Sequence, residues 1–382
     1  MMMMMMANEL PEDLLTQILL WLPVVSLLRF KCVCKSWYAL ITHQNFVRKH
    51  LLHNKNCNTH LLLNTFNNTL GDYVVSKISY EELQISPLTQ PLPSQDFGNG
   101  LNFSICVVGS CNGLVCLHAH GTLNVVIWNP TTKETKVVPE SNLPLFAPTG
   151  YCTHIQGMGF GFDAKTNDYK IINFVSMYDP YFKDYYSQYV RDIIYQKELY
   201  SLSTDSWRKV DGPPCFIVET HQGVMTYTTG MGSCLAYDDG QETFVLSFDM
   251  SDEVFLKTPH PDNVQGETLF VLNESIAMAD TIWNEESTEI RFDIWLLLKV
   301  GVKDSWTRLF TIGPFTEIHR PIGFWKNDTM FLHKIDDGQL FLYDPSTKQM
   351  TDLQIPGEND WMQLVTYMET LVSVKRGNES EE

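Results

Sequence analysis

One sequence pattern recurs five times between residues 127 and 356 of this 382-residue chain. Each copy has an apolar strand, a short polar turn and a second strand that often carries an aromatic or aliphatic residue. The copies are IWNPTTKETKVVP (127–139), YSLSTDSWRKVD (200–211), LSFDMSDEVFLKTP (246–259), LLLKVGVKDSWTRL (296–309) and LYDPSTKQMTDLQIP (342–356), and YVVSKISYEELQISP (73–87) is a weaker one. The chain from residue 58 onward is therefore predicted to be built of repeated β-strand units.

The spacing of these units predicts the architecture. Turn centres near residues 80, 131, 204, 251, 303 and 346 are separated by 51, 73, 47, 52 and 43 residues. The long gap contains an insertion of about 25 residues, and without it the period matches kelch-type propeller blades of four strands each. We expect a six-bladed propeller in which the run QLVTYMETLVSVK (363–375) completes the first blade and closes the ring. A pair of β-sandwiches is the alternative.

The charge differs between two parts of the chain. Residues 1–55 carry six basic and three acidic groups, whereas the remaining residues carry 21 basic and 42 acidic groups, a net charge of −21. The change of sign favours two modules with different partners. Nucleic-acid binding is disfavoured because phosphate contacts need a basic face. The acidic module is expected to attract basic ligands.

Residues 10–53 have the pattern of three or four short helices. Two apolar rows run along the first helix, one of Leu14, Ile18 and Trp21 and one of Leu15, Leu19 and Leu22. This apolar arc is wider than a helix on a domain surface needs, and some forty residues rarely bury enough surface to be stable alone. Either another chain covers the excess apolar surface, or the helices pack on the acidic module as ordinary core.

Targeting signals are weak and the cysteines are uninformative. The segment LLTQILLWLPVVSLL is interrupted by Gln17 and Pro23 and follows acidic residues, so neither a signal peptide nor a membrane span is expected. Nine cysteines at irregular spacing indicate free thiols in a reducing compartment, the cytoplasm or also the nucleus. Cys32 and Cys34 lack the spacing of a metal site and are expected to be small buried residues.

The N-terminal stretch LPEDLLTQILLWLPVVSLLRFKCVCKSWYALITHQNFVRKH resembles an F-box. The resemblance rests on the opening Leu-Pro-Glu-Asp, on Ile-Leu-x-x-Leu-Pro, on Ser-Leu-Leu-Arg-Phe and on Val-Cys-Lys-x-Trp. It implies docking on the Skp adaptor of cullin-based ubiquitin ligases, which would supply the missing partner. The adaptor contacts that it implies are Leu10, Pro11, Leu14, Ile18, Leu22, Pro23, Leu27, Leu28, Val33 and Trp37.

The acidic module is similar to the F-box-associated interaction domain of plants. The similar phrases are VVGSCNGLVCL, WNPTTKE and GFGFDAKTNDYKI, within residues 100–355. The phrases SWTRLFTI and YMETLVSV also resemble the S-locus F-box branch, whose members recognise pistil ribonucleases in self-incompatibility. The fold class that follows is mostly β, with a short α-helical F-box followed by a kelch-like propeller.

Two clusters of residues resemble a phosphate-binding loop and a metal site, but both have structural explanations. GMGFGF (157–162) is followed by a turn and a strand, whereas a phosphate-binding loop must open a helix. We expect its glycines to allow close packing of blade strands. Cys116, His118 and His120 share one strand face with steps of about 6.5–7 Å, too far apart to hold one ion. Cys111 and Cys116 are expected to be apolar packing positions. No catalytic group, metal or cofactor is assigned.

A tyrosine-rich insertion, FVSMYDPYFKDYYSQYVRDIIYQ (174–196), is the candidate target-binding segment. Tyrosine offers a large contact area at a low entropic cost and is enriched at binding hot spots. The alternative is a longer pair of strands with tyrosines on the outer sheet face. The candidate contacts are Tyr178, Tyr181, Phe182, Tyr185, Tyr186 and Tyr189, and other candidate loops are 140–154 and 212–232.

The predicted organisation is a tail (1–9), an F-box (10–53), a propeller (58–376) and a second tail (377–382). The predicted function is a non-catalytic substrate receptor of a ubiquitin ligase. Its partners would be the Skp adaptor, through it the cullin and the RING subunit, and a protein target such as a basic ribonuclease. A non-degradative F-box scaffold and a propeller enzyme such as a copper oxidase are the alternatives.

Overall fold

The structure is a computed structural model. It describes residues 11–54, 59–67, 72–79, 83, 85–87, 94–97, 104–141, 148–179, 193–218, 224–228, 230–238, 242–266, 268–284, 289–325, 329–334, 338–355 and 362–375.

Four helices form the helical module, residues 12–54, at the start of the described chain. They are α1 (Glu12–Leu20), α2 (Val24–Phe30), α3 (Lys35–Thr42) and α4 (Gln44–Asn54). Pro11 and Pro23 immediately precede α1 and α2, where a missing N–H costs nothing because the first turn has no partner for it. Glu12 and Asp13 lie in the first turn of α1, where the helix dipole favours negative charge.

Twenty-five strands follow within the described residues, and they form six antiparallel sheets. The strands of the first three sheets are β1 (Thr59–Asn67), β2 (Asp72–Ser79), β3 (Ile85–Pro87); β4 (Ile105–Cys111), β5 (Leu114–Ala119), β6 (Val125–Asn129), β7 (Glu134–Val137); and β8 (Cys152–Asp163), β9 (Asp168–Tyr178), β10 (Ile194–Ser201), β11 (Ser206–Lys209).

The strands of the next three sheets are β12 (Phe216–Ile217), β13 (Thr226–Thr228), β14 (Met231–Tyr237), β15 (Thr243–Asp249), β16 (Phe255–Pro259); β17 (Thr268–Leu272), β18 (Ser275–Asn284), β19 (Glu289–Leu297), β20 (Trp306–Phe315); and β21 (Ile318–Phe324), β22 (Met330–Lys334), β23 (Leu340–Asp344), β24 (Gln349–Asp352). The last strand, β25 (Gln363–Met368), pairs with β1 in the first sheet. The sheets are the blades of a six-bladed propeller, which confirms the predicted fold and excludes the paired β-sandwiches.

The predicted turns join the two outer strands of their blades, and three of them share one local conformation. Asn129, Asp249 and Asp344 open these turns, and each side-chain oxygen accepts the N–H groups two and three residues later. The fifth residue of each turn has a positive φ, and its N–H donates to the opening carbonyl at 2.8–2.9 Å. The repeated Asx-x-Ser/Thr-x-x phrase is thus the sequence signature of one tight turn.

The hydrophobic core of the propeller is divided among the gaps between blades. Six apolar clusters each combine residues from two neighbouring blades around the ring. The glycine-rich strand β8 illustrates the close packing. A Cβ on Gly159 would lie 2.6 Å from Met225 Sδ, and one on Gly161 would lie 2.3 Å from Tyr227 Cε2. The structural explanation of GMGFGF is therefore confirmed. A central cavity of 170 Å³ is lined by residues of β4, β13, β17, β21 and β25.

The antiparallel order gives the propeller two distinct faces. We call the hairpin face the end that carries the turns between the first and second and between the third and fourth strands of each blade, such as 112–113 and 130–133. The loop face carries the remaining connections, such as 120–124 and 138–151. Thr59, where the chain arrives from α4, pairs with Met368 at the end of β25. The helical module is therefore attached at the hairpin face.

Candidate functional site

The two apolar rows of α1 differ in burial. Leu19 is buried and Leu15 and Leu22 pack against the same cluster, so this row forms the inner face of the helix. The other row is exposed: Leu14 is 48% exposed, Ile18 is 51% exposed, and Trp21, which ends the row, is 74% exposed. The helical module thus buries one row within the chain and presents the other to solvent. One face thus packs within the chain, where Leu371 joins the helical cluster, and the other face stays uncovered by the described residues.

Residues 369–375 join the helical module to the propeller. Leu371 is buried in one cluster with Leu19, Leu27 and Ile41 of the helices. Asn129 Nδ2 donates to the carbonyl oxygen of Val372 at 2.7 Å, and Val374 N donates to Glu134 Oε2 at 3.1 Å. This arrangement corrects one prediction. Only Gln363–Met368 complete the first blade, and the residues that follow leave the sheet to cover the inner face of the helices.

Helix α4 holds the same interface from the other side. Its Val47 and Leu51 pack against a cluster that contains Val372 and Val374. The buried His50 ring lies 3.0 Å, Nε2 to oxygen, from the Leu22 carbonyl. Burial lowers the pKa of His50, so a neutral ring that donates to this carbonyl fits the geometry. Lys31 at the end of α2 is half-buried; burial lowers its pKa, and the charge of Glu134 on the propeller opposes that effect.

The predicted adaptor contacts occupy three environments. Leu10 lies outside the described residues. Pro11, Leu14, Ile18, Pro23 and Val33 are exposed, while Leu22, Leu28 and Trp37 are half-buried against the helical cluster. Leu27 has no exposed surface, because it faces the centre of the helical cluster, so its side chain is part of the core and cannot serve as a surface contact. Leu14 and Ile18 lie on one side of α1, Pro11 and Pro23 precede α1 and α2, and Val33 lies in the turn before α3.

Cys32 and Cys34 correct another expectation. Both are exposed rather than buried, because they lie in the turn that links α2 to α3. Hydrogen bonding to the Ser36 hydroxyl lowers the pKa of Cys34. The other pair follows the prediction, since Cys111 and Cys116 are buried among apolar side chains. Across the described ranges, no group of three metal-ligating side chains comes together.

Two of the candidate target segments connect strands at the loop face, and the third begins there. The insertion 174–196 includes the end of β9 and the start of β10, and its residues 180–192 lie outside the described residues. The segment 140–154 runs into the first residues of β8 in the same blade. The segment 212–232 begins in the next connection on this face. The helical module is attached at the hairpin face, so the described ends of the first two segments lie at the opposite end of the propeller.

Of the six predicted aromatic contacts, the described residues include only Tyr178. Tyr178 is half-buried at the end of β9, where β8 and β9 form a long pair that extends to Cys152. Tyr181, Phe182, Tyr185, Tyr186 and Tyr189 lie outside the described residues. The lengthened strands match the alternative interpretation for Tyr178 and Tyr195, which lie on strands rather than in a loop.

An aromatic group at the base of the insertion was missed by sequence reasoning. The Tyr195 and Phe216 rings meet edge to face with centroids 4.6 Å apart, and the Phe216 and Tyr237 rings are stacked at 4.9 Å. These residues come from blades 3 and 4, far apart in the sequence. Only the aromatic residue at the start or end of each strand could have suggested them.

Comparisons with known proteins agree with this architecture. The model of the F-box-associated β-propeller domain matches residues 67–374, and the F-box model matches residues 8–49. The chain belongs to the F-box-associated β-propeller family. Its helical module is an F-box, and an F-box implies a Skp-type adaptor as partner. None of the helices in the described part combines the length and hydropathy that crossing a bilayer requires.

Similar proteins of Arabidopsis thaliana carry the F-box in their names. The F-box/kelch-repeat protein At3g23880 is 27% identical over 332 residues, which cover 84% of each chain. The F-box protein At3g07870 is 26% identical over an alignment that covers 95% of this chain and 92% of that one. Among solved structures, TolB from Acinetobacter baumannii aligns with a TM-score of 0.45 at 10% identity, over 85% of this chain and 73% of that chain.

Proposed function

We propose that this F-box protein is the target-recruiting subunit of a Skp–cullin–F-box ubiquitin ligase. The F-box binds the Skp-type adaptor, which connects it to the cullin, the RING subunit and a ubiquitin-loaded enzyme. The propeller holds a target protein so that the lysines of the target meet that enzyme. The chain itself acts as a non-catalytic adaptor. The observation that carries this proposal is an uncovered apolar F-box surface fixed at the end of the propeller opposite the loop face.

The exposed side of α1 supports the adaptor contact. Large apolar side chains that stay exposed together mark interaction surfaces, because contact with water is unfavourable for them. Leu14, Ile18 and Val33 are each about half exposed or more. A partner that covers them would complete the core of a module too small to hide its own apolar surface.

The fixed attachment of the F-box supports the proposed mechanism. Ubiquitin transfer by proximity depends on the effective concentration of target lysines near the ligase enzyme. Leu371 and the Asn129–Val372 hydrogen bond hold the F-box against blade 2. A target on the loop face is then presented at one defined distance from the adaptor.

The target class is the finer part of the proposal. Residues 56–382 carry a net charge of −21, which favours a basic target and speeds its encounter. We propose a basic ribonuclease as the target, on the resemblance of SWTRLFTI and YMETLVSV to the S-locus branch. The target is bound at the loop face through the insertion 174–196, and degradation takes place in the cytoplasm, with the nucleus as a second location.

The adaptor contact is tested with purified full-length protein and a purified Skp-type adaptor. Leu14→Asp combined with Ile18→Asp places two charges on the exposed side of α1 and is expected to weaken binding by at least a hundredfold. The matched control is Leu298→Asp with Leu309→Asp, two exposed leucines of blade 5. It should bind like wild type. Equal binding by all three proteins would overturn the ligase assignment.

The target is sought by affinity purification from cells with the wild-type protein and the α1 double variant. Proteins retained by both are propeller ligands, and those lost with the variant belong to the ligase. A degradative role predicts that the bound target accumulates when the proteasome is blocked. Unchanged abundance would instead support a scaffold. Exchange of residues 174–196 for those of a relative should change target choice, and an unchanged choice would remove the insertion from the proposal.

A further inference from the structure

Trp21 is the most exposed large apolar side chain of the described F-box, yet the F-box motif does not assign it a contact. Its indole is 74% exposed and continues the row of Leu14 and Ile18 by one helical turn. Its ring meets the His53 ring of α4 edge to face at 4.2 Å, with an interplanar angle of 83°. Beside His53, Leu52 is 64% exposed. The apolar row of α1 therefore ends against α4, which exposes Leu52 next to His53 in the sequence.

We call the exposed Trp21 and Leu52 the edge of the F-box. The position of α4 is fixed by buried polar contacts rather than by this edge. His50 Nε2 lies 3.0 Å from the Leu22 carbonyl oxygen, and Asn54 Nδ2 lies 3.1 Å from the other ring nitrogen, Nδ1. The Phe46 and His50 rings stack at 6.0 Å on the inner side of the helix. Removal of an exposed side chain at the outer edge should consequently leave the packing of α1 and α4 intact. Trp21 and Leu52 are thus presented on a preformed support.

We propose that Trp21 and Leu52 form a second contact for the Skp-type adaptor, continuous with the contact at Leu14 and Ile18. The inference rests on the proposed function and deepens it by extending the adaptor surface from α1 to α4. Continuity is the main argument, because an adaptor that covers Ile18 meets Trp21 on the next turn of the same helix face. An exposed indole has the size and shape of a typical interface hot spot.

Charge defines the chemistry of the adaptor surface that fits here. Arg48 and Lys49 are exposed and lie one helical turn before Leu52, on the same side of α4. The edge is therefore an apolar ridge with a basic border. It fits an adaptor segment that offers an apolar groove bordered by carboxylates. Such a border should make association sensitive to salt.

The test measures the affinity of full-length protein for a purified Skp-type adaptor. Trp21→Ala is expected to weaken binding roughly tenfold or more, and Leu52→Ala roughly three- to tenfold. The controls are Trp283→Ala and Leu298→Ala, which remove exposed side chains of the same types from the propeller, 57% and 65% exposed in the native chain. Both controls should bind like wild type. Unchanged thermal unfolding of each variant shows that the F-box is still folded.

The outcomes separate this inference from the function on which it rests. If the Leu14→Asp, Ile18→Asp variant loses adaptor binding while Trp21→Ala and Leu52→Ala bind normally, the second contact is wrong and the ligase assignment stands. If the α1 double variant also binds normally, both are overturned. If Trp21→Ala leaves adaptor binding unchanged but abolishes self-association of the protein, the edge is an interface between copies, and the inference is likewise overturned.

Discussion

Trp306, the first residue of β20, donates its indole N–H to the carbonyl oxygen of Pro259 at 3.0 Å. Pro259 ends the outer strand of blade 4, so the bond joins two neighbouring blades. The same relationship recurs between blades 3 and 2, where Trp207 donates to the Pro139 carbonyl at 2.7 Å. The sequence shows both pairs as Asp-Ser-Trp in one repeat and a terminal proline in the preceding one. The tryptophan of each of these two repeats thus links its blade to the preceding blade by a hydrogen bond.

Trp306→Phe should destabilise the propeller by about 1 kcal/mol, because it keeps most of the buried ring but leaves the Pro259 carbonyl without its donor. Trp306→Ala should cost about 3–5 kcal/mol, since it also opens a cavity beside a side chain that is buried. Urea unfolding measures both losses. Trp283→Phe is the control, because that indole is exposed and its loss should leave the unfolding midpoint unchanged.

A buried ion pair joins blade 3 to the outer turn of blade 4. Lys170 Nζ lies 2.7 Å from Asp163 Oδ2 and 2.8 Å from Glu253 Oε1, and it also donates to the Met250 carbonyl. Burial alone would raise the pKa of Asp163, but hydrogen bonds from Lys170 and Thr166 outweigh it and hold that pKa well below its usual range. Glu253 is shifted in the same direction: burial opposes the shift, and Arg208 and Lys170 outweigh it.

Lys170→Met should therefore cost about 3–5 kcal/mol at neutral pH, because it leaves the buried Asp163 carboxylate without its charged partner. The lowered pKa values mean that the ion pair stabilises the folded protein above the unfolded pKa of about 4 and that this contribution is lost as the pH falls through the folded values. The gap between wild type and variant should narrow below about pH 4. Chemical unfolding at several pH values measures it. A gap that is constant with pH would contradict the electrostatic origin. Lys165→Met, which breaks an exposed pair with Asp252, should have a much smaller effect.

Leu371→Ala should loosen the F-box from the propeller. Its side chain is buried against the helices, so truncation should cost about 2–4 kcal/mol of local stability. Hydrogen exchange should accelerate in α1, α2 and α3 while the amides of the six sheets keep their protection. Val365→Ala, a half-buried change within β25, should instead act on the first blade. Uniform acceleration in both domains would show that Leu371 stabilises the chain as a whole rather than the attachment.

The sequence predicted the propeller because its information is local and repeated. Asn129, Asp249 and Asp344 each close their own turn within five residues, so the turns could be located without knowledge of the tertiary structure. The closing strand was also predictable, since an unpaired first blade needs a partner. Its length was not. Leu371, Val372 and Val374 are buried residues in a run that fits a strand equally well, and only the docked helices explain why the chain leaves the sheet.

The F-box site was predictable as a surface but not residue by residue. The motif indicated that Leu27 and Val33 are both apolar contacts, whereas Leu27 is buried and Val33 is exposed. Helical periodicity separates the two rows of α1 but cannot say which row faces the propeller, because the covering residues 369–375 lie more than 300 positions away. The same limit hides the Tyr195, Phe216 and Tyr237 group, which forms only when two blades meet.

Gly113 is the point where the blade 2 hairpin touches the segment that covers the F-box. It has a φ of +80°, and a Cβ there would lie 2.4 Å from the Met368 carbonyl oxygen and 2.5 Å from Thr370 Cγ2. Gly121 offers a matched comparison, with a φ of +77° and no atom within 4 Å of such a Cβ. Gly121→Ala should cost only the backbone strain, about 1 kcal/mol. Gly113→Ala adds a collision with backbone that cannot rotate away, so it should cost at least about 2–3 kcal/mol more. It should also speed hydrogen exchange in the F-box helices, which Gly121→Ala should not do. Equal unfolding free energies for the two variants would show that residues 368–370 can shift freely, and the fixed attachment of the F-box would then be wrong.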